Sequence, residues 1–271
     1  MPTPVFGIFY NQWDNPLLPC RVKTLRARKH FGELQQFIQT LSQTHKSHIG
    51  IEDNKETRIY TLYAIDPLPP ELSGFIGDVV HNLRAAMDSL AVALVTGFAT
   101  KPVTNEMVRD TEFPVGSDPK LSSKRKDQFF ANVGPAIEKV VRKLEPYKGG
   151  RGDKFFSLHQ LDIMDKHRSI IPVWARFSNV TMSGSMGVGI EHGVFTATKR
   201  IGLRPGDELG RWVAPDGLVG FKPDARFTFE IAFGEGQEFE GEPVLRLLME
   251  CIHRVEGAIN IFARDIFKHV W

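Results

Sequence analysis

A chain of 271 residues with 42% apolar and 24% charged side chains can bury a full core, as one large domain or two small ones. Its formal net charge of +2 is no nucleic-acid signature by itself and does not exclude a local basic surface, so nucleic acid is a partner that the charge leaves open but does not indicate. Cys20 and Cys251 lie too far apart in sequence for a paired metal motif or a disulfide framework, the opening lacks a secretory signal, and no run of about eighteen apolar residues is present. The expectation is a soluble, cytoplasmic protein that does not enter a membrane.

Residues 4–10 are apolar enough for a short strand or a segment tied onto the body. Arg21 to Gln43 then reads as a helix with Phe31, Leu34, Ile38 and Leu41 on its core side. The basic residues of its first half, Arg21, Lys23, Arg26, Arg28 and Lys29, read as a solvated face, with an anionic partner as the alternative. Lys55 to Ile65 has strand composition in Ile59, Tyr60, Leu62 and Tyr63, and Asp66-Pro-Leu-Pro-Pro ends it.

A long helix follows over Leu72–Val95. Leu72, Ile76, Val79, Val80, Leu83, Met87, Leu90 and Leu94 share one face. His81, Arg84 and Asp88 lie opposite, within roughly 60° of one another in projection. From Leu90 to Val95 the helix is apolar all round, so Asp88 stands where it becomes buried. Residues 116–126 read as loop, with Phe113-Pro-Val115 a brief extended anchor before them. Asp127 to Leu144 has the pattern of one amphipathic helix, in which Pro135 either makes a kink or marks the true start. The glycines at 149, 150 and 152 form a joint. They lack the Gly-Lys-Ser/Thr ending of a phosphate loop.

Phe155 to Arg168 is the second polar helix. His159, Asp162 and Asp165 share a side, while Phe155, Phe156, Leu158, Leu161, Ile163 and Met164 nearly encircle it. A charge placed inside such a frame must be paired, metal-bound or neutralised. Arg84 is the expected partner, because its fork takes a carboxylate through two bonds.

Strand patterns then cover Ile170–Phe177, Gly187–Thr198, Leu209–Val213 and Ala225–Phe233. Pro243 starts a last helix running to about Phe267, with Glu250 and His253 away from its apolar stripe. The fold class is therefore α+β: a mainly helical bundle of about five helices with a small, mostly antiparallel sheet inserted before the last. The expected organisation is one compact domain over 1–271. It comprises a helical body at 20–168 with a short strand near 55–65, a β-rich insertion at 169–235 and a final bundle helix at 241–268.

Three chemistries fit the two polar helices. One is a buried salt-bridge network that fixes helix register in a structural or oligomerising protein. Another is catalysis, with His81 or His159 as base, Asp88 or Asp162 orienting it, and Arg84 against developing negative charge. A third is a divalent metal held by residues from Asp78, His81, His159, Asp162 and Asp165, which the charge of Arg84 disfavours. No cofactor is favoured.

The runs Gly77-Asp-Val-Val-His-Asn-Leu-Arg-Ala-Ala-Met-Asp88, Phe113-Pro-Val115 and Leu161-Asp-Ile-Met-Asp-Lys-His-Arg168 resemble a group of bacterial proteins of unknown function. In that group an HNLR-x-x-x-D helix precedes an LD-x-x-DKHR helix. The resemblance supplies no activity. It implies that His81, Asn82, Arg84, Asp88, Asp165, Lys166, His167 and Arg168 are the shared polar residues. The catalytic candidates are then His81, Arg84, Asp88, Asp162, Asp165 and His167. Lys166, His167 and Arg168 are a candidate phosphate or carboxylate site at the end of the second helix.

A looser resemblance is to HEPN nucleases, helical bundles in which an Arg and a His a few residues apart cut RNA at a dimer interface. Ser89 stands where the His would follow Arg84, but Arg246 with His253 and Arg264 with His269 have the spacing. The functional expectation is a polar centre with hydrolytic or phosphate/anion-binding chemistry. A structural protein and an HEPN-like ribonuclease are the alternatives, and a homodimer through helices is the expected assembly.

Overall fold

The computed structural model describes residues 15–183, 194–197, 200–214 and 224–268. The elements in chain order are α1 (Leu18–Thr44), β1 (Ser47–Asp53), β2 (Thr57–Ile65), α2 (Glu71–Phe98), α3 (Asn105–Arg109), α4 (Lys124–Val133) and α5 (Pro135–Leu144). After these come α6 (Asp153–His167), β3 (Pro172–Ser183), β4 (Val194–Ala197), β5 (Arg200–Ile201), β6 (Glu208–Val213), β7 (Asp224–Phe233) and α7 (Val244–Asp265). The α+β class holds. No helix among the described residues is long and apolar enough to cross a membrane.

Contacts group the chain into two compact units. Among the described residues, one holds 15–34, Gly74–Ile170 and 246–268; the other holds Gln35–Ser73 and those described between Ile171 and Leu245. The division differs from a helical body at 20–168 with an insertion at 169–235, because 35–73 groups with the later strands.

In the helical unit the apolar stripes pack as their spacing predicts. Ile76, Val79, Val80, Leu83, Met87, Leu90 and Leu94 of α2 are all buried, as are Leu248, Cys251, Val255, Ile259 and Phe262 of α7. The Phe113 ring lies 6.2 Å from that of Phe155 and 6.4 Å from that of Phe262, which fixes the extended anchor into the core. Part of the basic face of α1 is not simply solvated: Arg28 Nε lies 2.5 Å from Glu256 Oε1 on α7.

The helix count is corrected from about five to seven among the described residues. One addition is α3, whose start is capped by the Thr104 side chain accepting from the Met107 amide. The other comes from 127–144, which is two helices. Gly134, at φ 78°, closes α4, and Pro135 takes the first turn of α5, where its missing N–H costs nothing. Ser123 caps α4 through the Lys126 amide, so residues read as loop are already helical at 124.

The sheet position is also corrected. Instead of one insertion there are two sheets, ordered β1-β2-β6-β4 and β5-β3-β7, and all named pairs are antiparallel. The first draws half of its strands from before α2. Tyr60, Phe195 and Phe227 bring both sheets together, with the Tyr60 ring 6.1 Å from Phe195 and 5.4 Å from Phe227. Of the strand expected over 187–198, only Val194–Ala197 is described, and residues 4–10 lie outside the described chain.

The joint before α6 positions the polar helix. The Gly152 amide donates to the Glu145 carbonyl at 3.2 Å. A Cβ on Gly152 would lie 2.4 Å from the Leu144 carbonyl oxygen and 3.0 Å from that of Glu145. These two obstacles are backbone, which cannot swing aside, and Cδ2 of the Phe155 ring lies 2.9 Å from the same point. Gly152→Ala is expected to cost roughly 1–3 kcal/mol, read as a lower urea midpoint at unchanged slope.

Candidate functional site

The α2 and α6 helices meet where α2 has no side chain. At Gly77 a Cβ would lie 2.5–2.8 Å from the carboxylate atoms of Asp165. Glycine costs about 1 kcal/mol in a helix interior, but here it lets a carboxylate of α6 rest against the α2 backbone. Phe155, Phe156, Leu158 and Leu161 are buried around α6, so the polar side of that helix is drawn inward with them.

Asp162 sits deepest, with its side chain only 5% exposed. Its Oδ2 accepts from Lys166 Nζ, one turn along, at 2.5 Å. Its Oδ1 is buried and has no hydrogen-bond partner. His81 Nδ1 on α2 lies 3.6 Å from that oxygen. That is ion-pair distance rather than a hydrogen bond. The imidazole itself is 58% exposed. A buried acceptor thus faces a solvent-open histidine. Burial raises the Asp165 carboxyl above its ordinary value, with the Asp162 charge adding to the effect and His81 opposing it.

Arg84 and Asp88 form a second cluster one turn further along α2. Arg84 is 4% exposed. Its Nη2 lies 2.8 Å from Asp88 Oδ1, 3.9 Å from Glu112 Oε2 and 3.4 Å from the Phe113 carbonyl oxygen, to which it donates. The Phe113 amide in turn donates to Asp88 Oδ1 at 3.0 Å. Arg125 reaches Glu112 at 3.6 Å. Burial lifts the Asp88 carboxyl above the usual value, while Arg84 and the Phe113 amide pull it down. On another side, Asp88 and Ser89 open onto a cavity of about 460 Å³ lined also by Pro16, Pro19, Ala85 and Val92.

The expected pairing of Arg84 with the carboxylates of α6 is therefore corrected. Its ion pairs run to Asp88 on its own helix and to Glu112. The physical reason is the Phe113 peptide, whose amide and carbonyl both need partners once buried. Asp88 and Arg84 supply one each. Glu112 was missed by sequence reasoning; the only hint was the acid immediately before Phe113-Pro-Val115, in a stretch with no periodicity.

The remaining candidates separate. His159 is pulled from its ordinary 6.5 to about 4, by burial first and then by Arg84, and its Nδ1 is buried without a partner. It is a poor base near neutral pH. His167 and Arg168 are exposed, and the Arg168 amide closes α6 on the Met164 carbonyl at 2.7 Å. Among the described residues no three or more His, Cys, Asp or Glu side chains come together to hold a metal ion. The set Asp78, His81, His159, Asp162 and Asp165 is not assembled, because Asp78 points to solvent, His159 Nδ1 is sealed and Lys166 takes Asp162 Oδ2.

No family model, curated protein or solved structure matches the chain. On α7, Arg246 and His253 are exposed, Glu250 lies 3.3 Å from Lys154, and Arg264 is paired with Asp265. His269 lies outside the described residues. The thiols of Cys20 and Cys251 are pushed up to about 12 by burial, so neither serves as a nucleophile.

Two measurements check this division. Arg84→Ala strands Asp88 and the Phe113 carbonyl, and is expected to cost about 3–5 kcal/mol; His81→Ala, at an exposed position, is expected to stay within about 0.5 kcal/mol of wild type. Denaturant unfolding of both variants reads the difference. In histidine NMR titrations His159 is expected to stay neutral down to about pH 4. Its depressed value contributes stability that is present above 6.5 and lost as pH falls through about 4. Asp88 and Asp165, being raised, act in the opposite sense, so the difference between wild type and His159→Gln isolates the histidine.

Proposed function

We propose that His81 and Asp162 form an acid–base pair at an open polar site with hydrolytic or phosphate/anion-binding chemistry. One observation carries the reading: a buried carboxylate oxygen without a hydrogen-bond partner faces the Nδ1 of a solvent-exposed imidazole at 3.6 Å. Such a carboxylate favours the tautomer with the proton on Nδ1 and leaves Nε2 free to take a proton from water or a substrate hydroxyl. The distance is longer than a working hydrogen bond, but such contacts commonly tighten only when substrate binds.

The neighbours have suitable roles. Lys166, half-exposed and bound to Asp162, places positive charge beside the pair, where a phosphate or developing oxyanion would sit. Asp165 retains a proton more readily than an ordinary carboxyl, as a general acid requires. Asp165 then serves as the acid and His81, oriented by Asp162, as the base. On this reading the LD-x-x-DKHR run contributes Asp162, Asp165 and Lys166 to one site, while His167 and Arg168 extend its positive rim.

The structural alternative has its own support in the Arg84–Asp88–Glu112 cluster, which is closed around the Phe113 peptide. We assign that cluster to holding the loop and not to chemistry.

The test uses inorganic phosphate as a binding probe, with p-nitrophenyl phosphate and p-nitrophenyl acetate as hydrolysis probes. Wild type is expected to bind phosphate and to turn over at least one ester. His81→Ala is expected to lower that rate by about 10²–10⁴-fold, Asp162→Asn to follow it, and Lys166→Ala to weaken phosphate binding, all with unchanged circular dichroism. A wild type inert to all three probes, or variants equal to wild type, contradicts the proposal.

A further inference from the structure

We propose that the outer edge of β1 pairs with the same edge of a second copy of this chain, antiparallel, about a two-fold axis at Gly50. β1 is the end strand of the order β1-β2-β6-β4. An end strand presents a row of backbone groups that another strand can use, and proteins usually blunt it with Lys, Pro or a bulge. Ser47–Asp53 contains neither Lys nor Pro. The register shift lies between His48 and Ile49, but Ile49 pairs with Leu62 and His48 with Ala64. The extra residue is therefore Tyr63 on β2, and β1 itself runs unbroken.

The direction of each backbone group follows from the ladder. The Asn54 amide donates to the Thr57 carbonyl, so Asn54, Glu52 and Gly50 turn their groups toward β2. Ile49 and Ile51 turn theirs outward. Leu62 agrees, since its amide donates to Asp207 and its carbonyl accepts from Gly206, which leaves nothing for its neighbour Ile49. Among the described residues no backbone bond occupies the outward groups of Ile49 and Ile51.

The strand is complementary to itself when reversed. In Ser-His-Ile-Gly-Ile-Glu-Asp, rotation about Gly50 sets His48 opposite the partner's Glu52, Ile49 opposite the partner's Ile51, and Ser47 opposite the partner's Asp53. Each outward isoleucine then meets an outward isoleucine, which makes a bonded pair. Moving the axis to Ile49 or Ile51 sets an isoleucine against Ser47 or Asp53. Moving it by half a step sets outward groups against inward ones. Apolar matching therefore selects Gly50, the one axis that sets both outward isoleucines against isoleucines.

The surface at the axis is suited to contact. Ile51 is 51% and Tyr63 46% exposed. The Tyr63 ring covers the place where a Cβ of residue 50 would sit, lies 5.7 Å from the His48 ring, and donates from its hydroxyl to Glu52 Oε1 at 3.2 Å. Two such rings would adjoin across the two-fold. Asp53 is already held by Arg58, so the acids at the ends do not repel one another unscreened. The four-stranded sheet would continue into that of the second copy, in contrast to association through helices.

Sedimentation over a wide concentration range, with amide exchange, tests this on the full chain. Wild type is expected to dimerise, and the Ile49 and Ile51 amides to exchange more slowly as concentration rises. Ile51→Pro removes an outward N–H and no bond to β2, and is expected to weaken the dimer by about tenfold or more. Glu52→Lys, which removes the acceptor facing the partner's His48, is expected to weaken it too, and His48→Glu with Glu52→Lys to restore it. If the proline variant does not fold, the charge exchange decides alone. A wild type that stays monomeric, or a dimer indifferent to Ile51→Pro and to the charge exchange, overturns the proposal.

Discussion

The arrangement depends on how the Asp162 carboxylate is compensated. A carboxylate with 5% of its surface exposed would lose several kcal/mol of hydration without partners. α6 cannot avoid the burial, because Phe155, Phe156, Leu158 and Leu161 around it are core. Lys166 answers one oxygen from the same helix, and the other turns to α2. There the absence of a side chain at Gly77 lets α6 come close, and His81 stands at the edge of the contact. The polar residues of α2 then divide within one turn. Arg84 is sunk and fully engaged with Asp88, Glu112 and Phe113, whereas His81 is open to water on one side and to a buried acid on the other.

The charges of the two clusters act on one another. Asp162 helps hold both Asp88 and Asp165 toward the protonated form, and Arg84 helps hold His159 neutral. Burial is the first cause in all three, and the neighbouring charges modify it. A proton gained or lost at one member therefore changes the others, as expected where several acids share little water. The separation of roles remains geometric: the Arg84 cluster closes around a backbone peptide that needs both a donor and an acceptor, and the Asp162 cluster leaves an oxygen without a partner.

Much of the helical scaffold was legible in the sequence because its signals are periodic. The stripe from Ile76 to Leu94 and the stripe from Leu248 to Phe262 pack as spacing predicts, and of the apolar residues expected to encircle α6 Phe155, Phe156, Leu158 and Leu161 are buried with Asp162, while Ile163 is exposed. Long-range choices were not legible. Spacing alone offered Arg84 both Asp88 on its own helix and the acids of α6, and Phe113, a loop residue without periodicity, is what it and Asp88 bind in common. Helical spacing ran unbroken through 134, where a backbone angle of φ 78° at one glycine separates α4 from α5. β1 escaped notice because Ser47–Asp53 has few apolar residues and earns its place by pairing with β2, not by burying a face. His81 and Asp162 of the two polar helices lie 3.6 Å apart, whereas His167 and Arg168 at the end of α6 stay in solvent.

The most direct measurement is the tautomer of His81, read from its imidazole nitrogen shifts in wild type and in Asp162→Asn. The account predicts that neutral His81 carries its proton on Nδ1 in wild type, facing Asp162, and that the preference is lost in the variant. A wild-type ring protonated on Nε2, or one averaging freely between tautomers and indifferent to the substitution, would contradict it.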